Sequence, residues 1–486
     1  MDEAYEFLSK AGVAATSASK SIKWEQLKGR IDWHLVPLML CVYTLTFLDK
    51  VIYNVRRMVV YAAVMGLAAD THLTGNDFSN GTTYMFLAQL IAQAPNGFIL
   101  NKFPAGKWLG FNVAGWGVAV ACMASAHSYS GVVTSRVFLG IFEAAVAPSL
   151  VIIISQWYTK PEQTSRNAVW YLGLGCGQII GGLLSYAFQH VHHAAIDGWR
   201  IMFVMIGCIS VVTGVTVAAF IPDSPMTARF LSTEEKAAVL QHVAVNKTGV
   251  VNRKFSLHQI GELLLDPQLW LLALITICLC ETSGVISTYS ATLLRNEHFS
   301  TQLSALLNVP SGAVSILAAL LGGFAVQYSS HRWLWIVLLT CPAIIGAAVM
   351  SFVHSKAGIL SGIYLVNTDT ATLPLIYAWA AANVAGATKR PVTLSFLSGC
   401  FAVANMIGPQ TFRAKDAPHY RPAKITVLAT LAGGALLACC LFVYYYLVNG
   451  MREKKHPVDR SETELSEKDK WTGATDKSDL SFRYVY

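Results

Sequence analysis

The sequence predicts an all-α membrane protein with about twelve transmembrane helices, and two observations lead to this fold class. First, apolar residues make up 54% of the 486-residue chain and charged residues only 13%, with a mean hydropathy of +0.47. A soluble domain carries about 25% charged residues, so this composition indicates a lipid environment. Second, the apolar residues are grouped into runs that approach the length of a transmembrane helix, about 20 residues.

These runs form two sets of six, separated by the polar stretch Pro222–Asp266. The first set is Trp33–Leu48, Thr82–Leu100, Leu109–Ala126, Gly131–Trp157, Ala168–Phe188 and Met202–Ile221. The second set is Leu269–Leu294, Ala305–Val326, Trp333–Val353, Ile359–Ala385, Val392–Ile407 and Ile425–Val448. We therefore expect an N-terminal tail (1–31), a first helical unit (32–221), a central loop (222–267), a second unit (268–449) and a polar, disordered tail (450–486).

Basic residues predict the orientation of the chain in the membrane. Most of the 36 lysines and arginines fall in those connections that lie on the same side as the two termini. Because basic residues concentrate in cytoplasmic segments, both termini and the central loop are expected in the cytoplasm. The formal charge of +8 then follows from topology, and no nucleic-acid partner is needed to explain it.

Four charged residues stand inside the first set of spans, where an ionisable side chain costs several kcal/mol. Asp49 and Lys50 are adjacent near the end of the first span, and Arg136 and Glu143 belong to the fourth. Spacings of four and three residues place Arg136, Gly140 and Glu143 on one helix face. Asp49 and Glu143 are candidates for proton coupling, with Lys50 and Arg136 as cations that would attract an anion. The alternative is that the four form ion pairs that only fix helix packing.

Other polar groups inside the predicted spans have two interpretations each. The side chains of Tyr43, Gln178, Tyr289 and Asn367 could hydrogen-bond a substrate or a neighbouring helix. The acids Glu281 and Asp369 in the second set could line a central cavity or lie close to a membrane interface.

No cofactor or metal site is predicted. His190, His192 and His193 are close in sequence, but they fall in a connection without a second set of ligands. The sequence also lacks a Gly-rich P-loop followed by Lys and Ser or Thr, which argues against ATP-driven transport by this chain.

The sequence resembles the anion:cation symporter branch of the major facilitator superfamily, and within it the fungal allantoate permease-like transporters. The segments that carry the resemblance are Tyr43–Lys50, Val64–Leu67, Thr71–Asn76, Leu109–Asn112, Arg136–Ala144, Ser155–Tyr158, Pro222–Pro225 and Gly408–Pro418. The resemblance implies two six-helix bundles around a central cavity, and transport by rocking of the halves around a midplane site. It implies no enzymatic activity.

The resemblance further implies proton-coupled uptake of a small organic anion across the plasma membrane, by a protein that is expected to be a monomer. Substrates associated with the group include allantoate, ureidosuccinate, nicotinate and pantothenate. Asp49 and Glu143 match its proton-coupling positions, and Lys50 and Arg136 match its basic positions. Two alternatives are a nutrient sensor with the same fold and a proton-coupled exporter.

Two departures from the group bear on these expectations. The segment Val51–Val60 is longer than is usual there, and a misread splice junction would explain it. In the seventh and tenth spans, Glu281 and Asp369 stand where the group usually has neutral residues. A cationic or zwitterionic substrate is therefore an open alternative.

Overall fold

The computed structural model describes residues 7–8, 23–53, 77–188, 197–246, 255–296, 307, 309–329, 331–353, 355–411, 420–455, 475–479 and 482–486. In the first half of the chain the helices are α1 (Trp24–Tyr53), α2 (Asp77–Lys102), α3 (Ala105–Met123), α4 (Tyr129–Glu143), α5 (Val146–Trp157), α6 (Lys160–Tyr171), α7 (Gly173–Phe188) and α8 (Gly198–Phe220). Two connecting helices follow, α9 (Thr233–Ala244) and α10 (Leu257–Leu264). The second half contains α11 (Pro267–Asn296), α12 (Val309–Ser329), α13 (Arg332–Phe352), α14 (Lys356–Val366), α15 (Thr372–Asn383), α16 (Lys389–Thr411) and α17 (Arg421–Lys455).

Every predicted apolar run overlaps one of these helices or a consecutive pair, which confirms the all-α membrane fold. Within the described ranges, eight helical segments are long and apolar enough to cross a membrane by length and composition. The boundaries differ from the expected ones at several places. Helix α1 already begins at Trp24, and the central loop contains α9 and α10.

Three of the expected spans are interrupted, and the interruptions lie inside the protein. The fourth span breaks between α4 and α5, the fifth at Leu172, and the tenth passes through a 3₁₀ segment, Asn367–Ala371. Residues Ala144 and Ala145 at the first break are 1% exposed. Irregular backbone at membrane depth is tolerated where protein rather than lipid surrounds it.

Small residues let some helices approach closely. Between α3 and α8, a Cβ atom added to Gly117 would lie 2.8 Å from the Gly207 carbonyl oxygen. A Cβ atom added to Gly207 would lie 2.7 Å from the Gly117 carbonyl oxygen. No side chain fits in that space, so glycine is required at both positions. Such backbone-to-backbone packing is typical of membrane helices, where small residues stabilise association.

The two halves contact each other mainly along three helix pairs, α2 with α16, α6 with α12 and α7 with α12. In the first pair, Gln93 Nε2 donates to Ser398 Oγ at 2.7 Å, and Asn101 Nδ2 donates at 2.7 Å to the carbonyl of Ala387, just before α16. A weaker contact joins Asn96 Nδ2 to Ser395 Oγ at 3.4 Å. Amide side chains of α2 therefore supply the donors of these hydrogen bonds across the interface.

We call the side of the molecule that carries the start of α1 and the end of α17 the terminal face. It also contains α9, whose first turn has a capping box made by Ser232 and Glu235. The His242 ring near the end of α9 lies 3.8 Å from the Trp24 ring. The central connection thus packs against the first helix instead of extending away from it.

The end of the chain differs from the expected disordered tail. Residues 475–479 and 482–486 dock on the terminal face, with Asp476 fully buried and Tyr484 4% exposed. Lys389 Nζ lies 2.8 Å from Asp476, 3.0 Å from Asp266 and 2.9 Å from Glu262. Composition predicted only that this tail is polar. It could not predict that Lys389 of a distant helix pairs with Asp476 of the tail.

Candidate functional site

The four charged residues singled out in the sequence come together between α1 and α4. Lys50 Nζ forms an ion pair with Glu143 Oε1, and Arg136 Nη1 lies 3.7 Å from Asp49 Oδ2. At most 9% of any of these side chains is exposed. The pairing is crosswise, because each residue binds a partner on the other helix. Asp49 and Lys50 do not pair with each other, since adjacent residues of one helix point in different directions.

Close packing of α4 against α2 fixes the two α4 residues. A Cβ atom on Gly140 would collide with the Met85 carbonyl oxygen of α2. Arg136 lies four residues before Gly140 and Glu143 three after it, so both face the same side of the helix. Arg136 Nη1 also lies 3.5 Å from the Met85 sulfur. The expected face of Arg136, Gly140 and Glu143 is present, and it is directed toward α1 and α2.

The break after α4 supplies an acceptor to the same region. Because the last carbonyls of a helix have no partner within it, the Ala144 oxygen is available to other groups. Gln93 Nε2 donates to it at 2.8 Å, and the same nitrogen donates to Ser398 Oγ of the second half. The charged cluster is therefore linked to the interface between the halves.

Three phenylalanine rings surround the Lys50 ammonium. Its Nζ lies 5.6 Å from the Phe47 ring centroid, 5.7 Å from Phe86 and 5.4 Å from Phe401. At these distances the ring faces attract a cation. Phe401 belongs to α16, so the Lys50 side chain lies at the boundary between the halves.

Among the polar residues that were predicted to bind a substrate or a neighbouring helix, Tyr43 lies on α1, the same helix as Asp49 and Lys50. Spacings of four and three residues place Tyr43, Phe47 and Lys50 on one face. The Tyr43 ring is 6% exposed and packs 4.6 Å from Trp170 and 5.0 Å from Tyr171. These aromatic residues form one wall next to the charged cluster.

The structure places the other polar residues in different surroundings. Gln178 is half-buried on α7, where α12 of the second half packs against it. Asn367 is fully buried, and its Nδ2 donates to the Ile363 carbonyl at 2.8 Å within its own bundle. The side chain of Tyr289 lies outside the described residues, as do His190, His192, His193 and positions 54–60 of the unusual segment.

The acids Glu281 and Asp369 are both buried: Glu281 lies in the middle of α11, and Asp369 lies in the 3₁₀ segment that interrupts the tenth span. Glu281 Oε2 accepts from Thr430 Oγ1 at 2.7 Å, and Asp369 Oδ1 accepts from Thr340 Oγ1 at 3.3 Å. Across the described ranges neither acid forms an ion pair. Glu281 and Asp369 thus have hydroxyl partners, whereas Asp49 and Glu143 of the first half have cations.

Sequence reasoning missed a row of buried amides on α2, two of which, Gln93 and Asn96, contact the second half. Gln89, Gln93 and Asn96 are spaced by four and three residues and are all 5% exposed or less. This spacing of amides along one face of an apolar run was a readable signal. Phe86 and Phe401 had no such signal, because an aromatic residue in a span is ordinary.

Comparisons with known proteins agree with this architecture. The family model described as Major Facilitator Superfamily matches residues 41–409. The thiamine pathway transporter THI73 of Saccharomyces cerevisiae is 35% identical over 94% of this chain and 86% of its own length. The allantoate permease of the same yeast is 30% identical over 95% of this chain and 86% of its own.

Two solved structures share the fold at low sequence identity. The human organic anion transporter MFSD10 has a TM-score of 0.60 at 12% identity, covering 84% of this chain and 99% of its own. The proton:xylose symporter XylE has a TM-score of 0.61 at 14% identity, covering 84% and 96%. The chain therefore belongs to the major facilitator superfamily, as a transporter of the fungal allantoate permease-like type.

Proposed function

We propose that this transporter takes up a small organic anion together with protons, by alternating access. The proposed substrates are carboxylates such as allantoate, ureidosuccinate, nicotinate or pantothenate. The protein would act as a monomer in the plasma membrane, with the terminal face in the cytoplasm. The observation that carries the proposal is the buried, crosswise pairing of Lys50 with Glu143 and of Arg136 with Asp49.

The chemistry follows from the charge balance of these pairs. In the structure each cation is neutralised by a carboxylate, so the cluster is neutral as a whole. A proton on Glu143 would remove the charge that holds Lys50, and the ammonium would then be available to a substrate carboxylate. One proton and one monovalent anion together restore neutrality, which couples their binding.

The position of the cluster supports a role in alternating access. Lys50 contacts Phe401 of the second half, and Gln93 joins Ser398 to the broken end of α4. A change in the Lys50–Glu143 pair would therefore alter contacts between the halves. In this fold the substrate binds near the midplane, where the two halves meet.

A cationic substrate is the second candidate, and the two acids of the second half favour it. Glu281 and Asp369 face hydroxyl groups and, over the described residues, no cation within ion-pair distance. A positively charged solute would compensate such carboxylates. One relative is named for the thiamine pathway, and thiamine carries a positive charge.

Uptake in yeast that lacks its own permeases tests both candidates. Labelled allantoate, nicotinate, pantothenate and thiamine are supplied at pH 5 and pH 7.5, with and without a protonophore. We expect faster uptake of one carboxylate at pH 5, abolished by the protonophore and by Glu143→Gln. The matched control is Glu234→Gln, an exposed acid of α9 that should transport normally.

Other outcomes would contradict specific parts of the proposal. Accumulation by Glu143→Gln equal to that of the parent would remove Glu143 from proton coupling. Uptake of thiamine alone would replace the anion by a cation. A lower cellular content of the substrate would indicate export, and ligand binding without flux would indicate a sensor. Arg136→Lys keeps the charge but loses the planar fork, so affinity for a carboxylate should fall.

A further inference from the structure

A pocket with several polar residues in its lining, separate from the charged cluster, opens on the terminal face. Its volume is about 460 Å³, within the range of small-molecule sites. Lys160 comes from the first half, His242 from the central connection, Arg332 from the second half and Val485 from the docked tail. The pocket therefore lies where four parts of the chain meet, and a ligand there would touch both halves.

Arg332 is the unusual residue of this pocket. Its side chain is 2% exposed, and Nη2 donates to the Lys160 carbonyl at 2.9 Å. The other guanidinium nitrogens, Nε and Nη1, have no hydrogen-bond partner among the described residues. A buried charge without a counter-ion is costly, so a guanidinium left in this state indicates a place for an anion.

The surroundings of Arg332 add positive charge. Lys160 lines the same pocket, and its Nζ lies 4.3 Å from the Phe482 ring. The first turn of α6 begins at this lysine, and its N–H groups already have partners within the protein: Lys160 N donates to Asn246 Oδ1 at 2.9 Å, and Thr159 and Glu162 form a capping box. The acid that faces this group is Glu162, whose Oε2 lies 3.1 Å from His242 Nε2 and 2.7 Å from Thr159 Oγ1. No acidic side chain is among the residues that line the pocket within the described ranges, and the main-chain oxygen of Tyr486 accepts from the Arg332 backbone nitrogen at 2.8 Å beside it.

We propose that this pocket binds a phosphate-bearing anion, which bridges Lys160 of the first half and Arg332 of the second. The guanidinium fork binds phosphate oxygens in pairs, and the volume leaves room for a small polar body beyond the phosphate. The ligand is either a soluble phosphorylated compound or the headgroup of a phospholipid. Because it would hold the halves together at the terminal face, bound ligand should slow transport. This inference is independent of the substrate proposed above.

Binding to the purified full chain tests the proposal. Inorganic pyrophosphate is titrated in detergent, and nanodiscs with phosphatidylinositol 4-phosphate are compared with nanodiscs of phosphatidylcholine alone. Loss of a charge-assisted contact weakens binding by about tenfold to a hundredfold, so Arg332→Gln should raise the Kd for the anion by that factor. Lys107→Gln is the matched control, because Lys107 is a mostly exposed base of the same face that pairs with Asp223.

Each outcome decides the proposal or the source of the ligand. Pyrophosphate binding that is lost in Arg332→Gln and kept in Lys107→Gln supports a soluble ligand. The same pattern only with phosphoinositide nanodiscs supports a lipid headgroup. An equal Kd in the parent and Arg332→Gln overturns the site, as does the absence of binding of either probe to folded protein. If Arg332→Gln does not fold, Arg332→Lys and Lys160→Gln are measured instead. A Kd equal to that of the parent in both of these variants would likewise overturn the site.

Discussion

Removing one member of the buried Lys50–Glu143 pair should cost more stability than removing both. Both side chains are less than 10% exposed. Lys50→Met leaves the Glu143 carboxylate buried beside apolar rings, and loss of one partner of a buried pair costs about 3–5 kcal/mol. The double variant Lys50→Met/Glu143→Gln leaves neither charge uncompensated. We therefore expect a coupling free energy of about 0.5–3 kcal/mol between the two positions.

The assay is a double-mutant cycle on the purified protein in detergent, with the free energy of unfolding taken from denaturant titrations. A second cycle on Arg136→Met and Glu143→Gln is the control, because these residues share α4 but do not pair in the structure. We expect the second coupling to be the smaller one. A larger coupling between Arg136 and Glu143 than between Lys50 and Glu143 would refute the crosswise arrangement.

Three further predictions concern the packing of α4, the docked tail and the pH dependence of stability. Gly140→Ala places a methyl group against the α2 backbone, so we expect a lower Tm and loss of transport; an unchanged Tm would contradict the close packing. Lys389→Met leaves the buried acids around it without their cation, so residues 475–479 should exchange amide hydrogens faster, whereas Lys107→Met should leave them protected. Burial raises the pKa of Glu162, but hydrogen bonds from His242 and Thr159 outweigh it and lower that pKa from 4.5 to about 2. A depressed pKa gives stability above about pH 4.5 that is lost toward pH 2, so the Tm of the parent should fall more steeply in this window than that of Glu162→Gln. Parallel curves of Tm against pH for the parent and Glu162→Gln would contradict this role of Glu162 in stability.

The sequence was sufficient to predict the helices, because apolar runs of membrane length depend only on local composition. It also predicted that Arg136, Gly140 and Glu143 share a face, since helix geometry fixes that relation. The ion-pair partner of each charged residue could not be predicted in this way. Asp49 and Lys50 are adjacent in the sequence, but their partners depend on how α1 packs against α4.

The tail and the break in the fourth span were beyond sequence reasoning for a related reason. Asp476 is one acid among many in a polar segment, and only the fold brings Lys389 to it. The Ala144 carbonyl gains its role because α4 ends there and Gln93 of another helix reaches it. Both features arise from contacts between distant parts of the chain, which periodicity and composition do not contain.

The polar contact between α2 and α16 has a consequence for how easily the halves separate. Its hydrogen bonds use the amides of Gln93, Asn96 and Asn101, and water can replace each partner once the helices part. A hydrogen bond exchanged for water costs about 0.5–1.5 kcal/mol net, so three cost about 1.5–4.5 kcal/mol together. That is close to the free energy gained when one elementary charge moves through a membrane potential of 100–200 mV, about 2–5 kcal/mol. These three hydrogen bonds alone thus cost no more free energy than the proposed proton coupling would supply in each cycle.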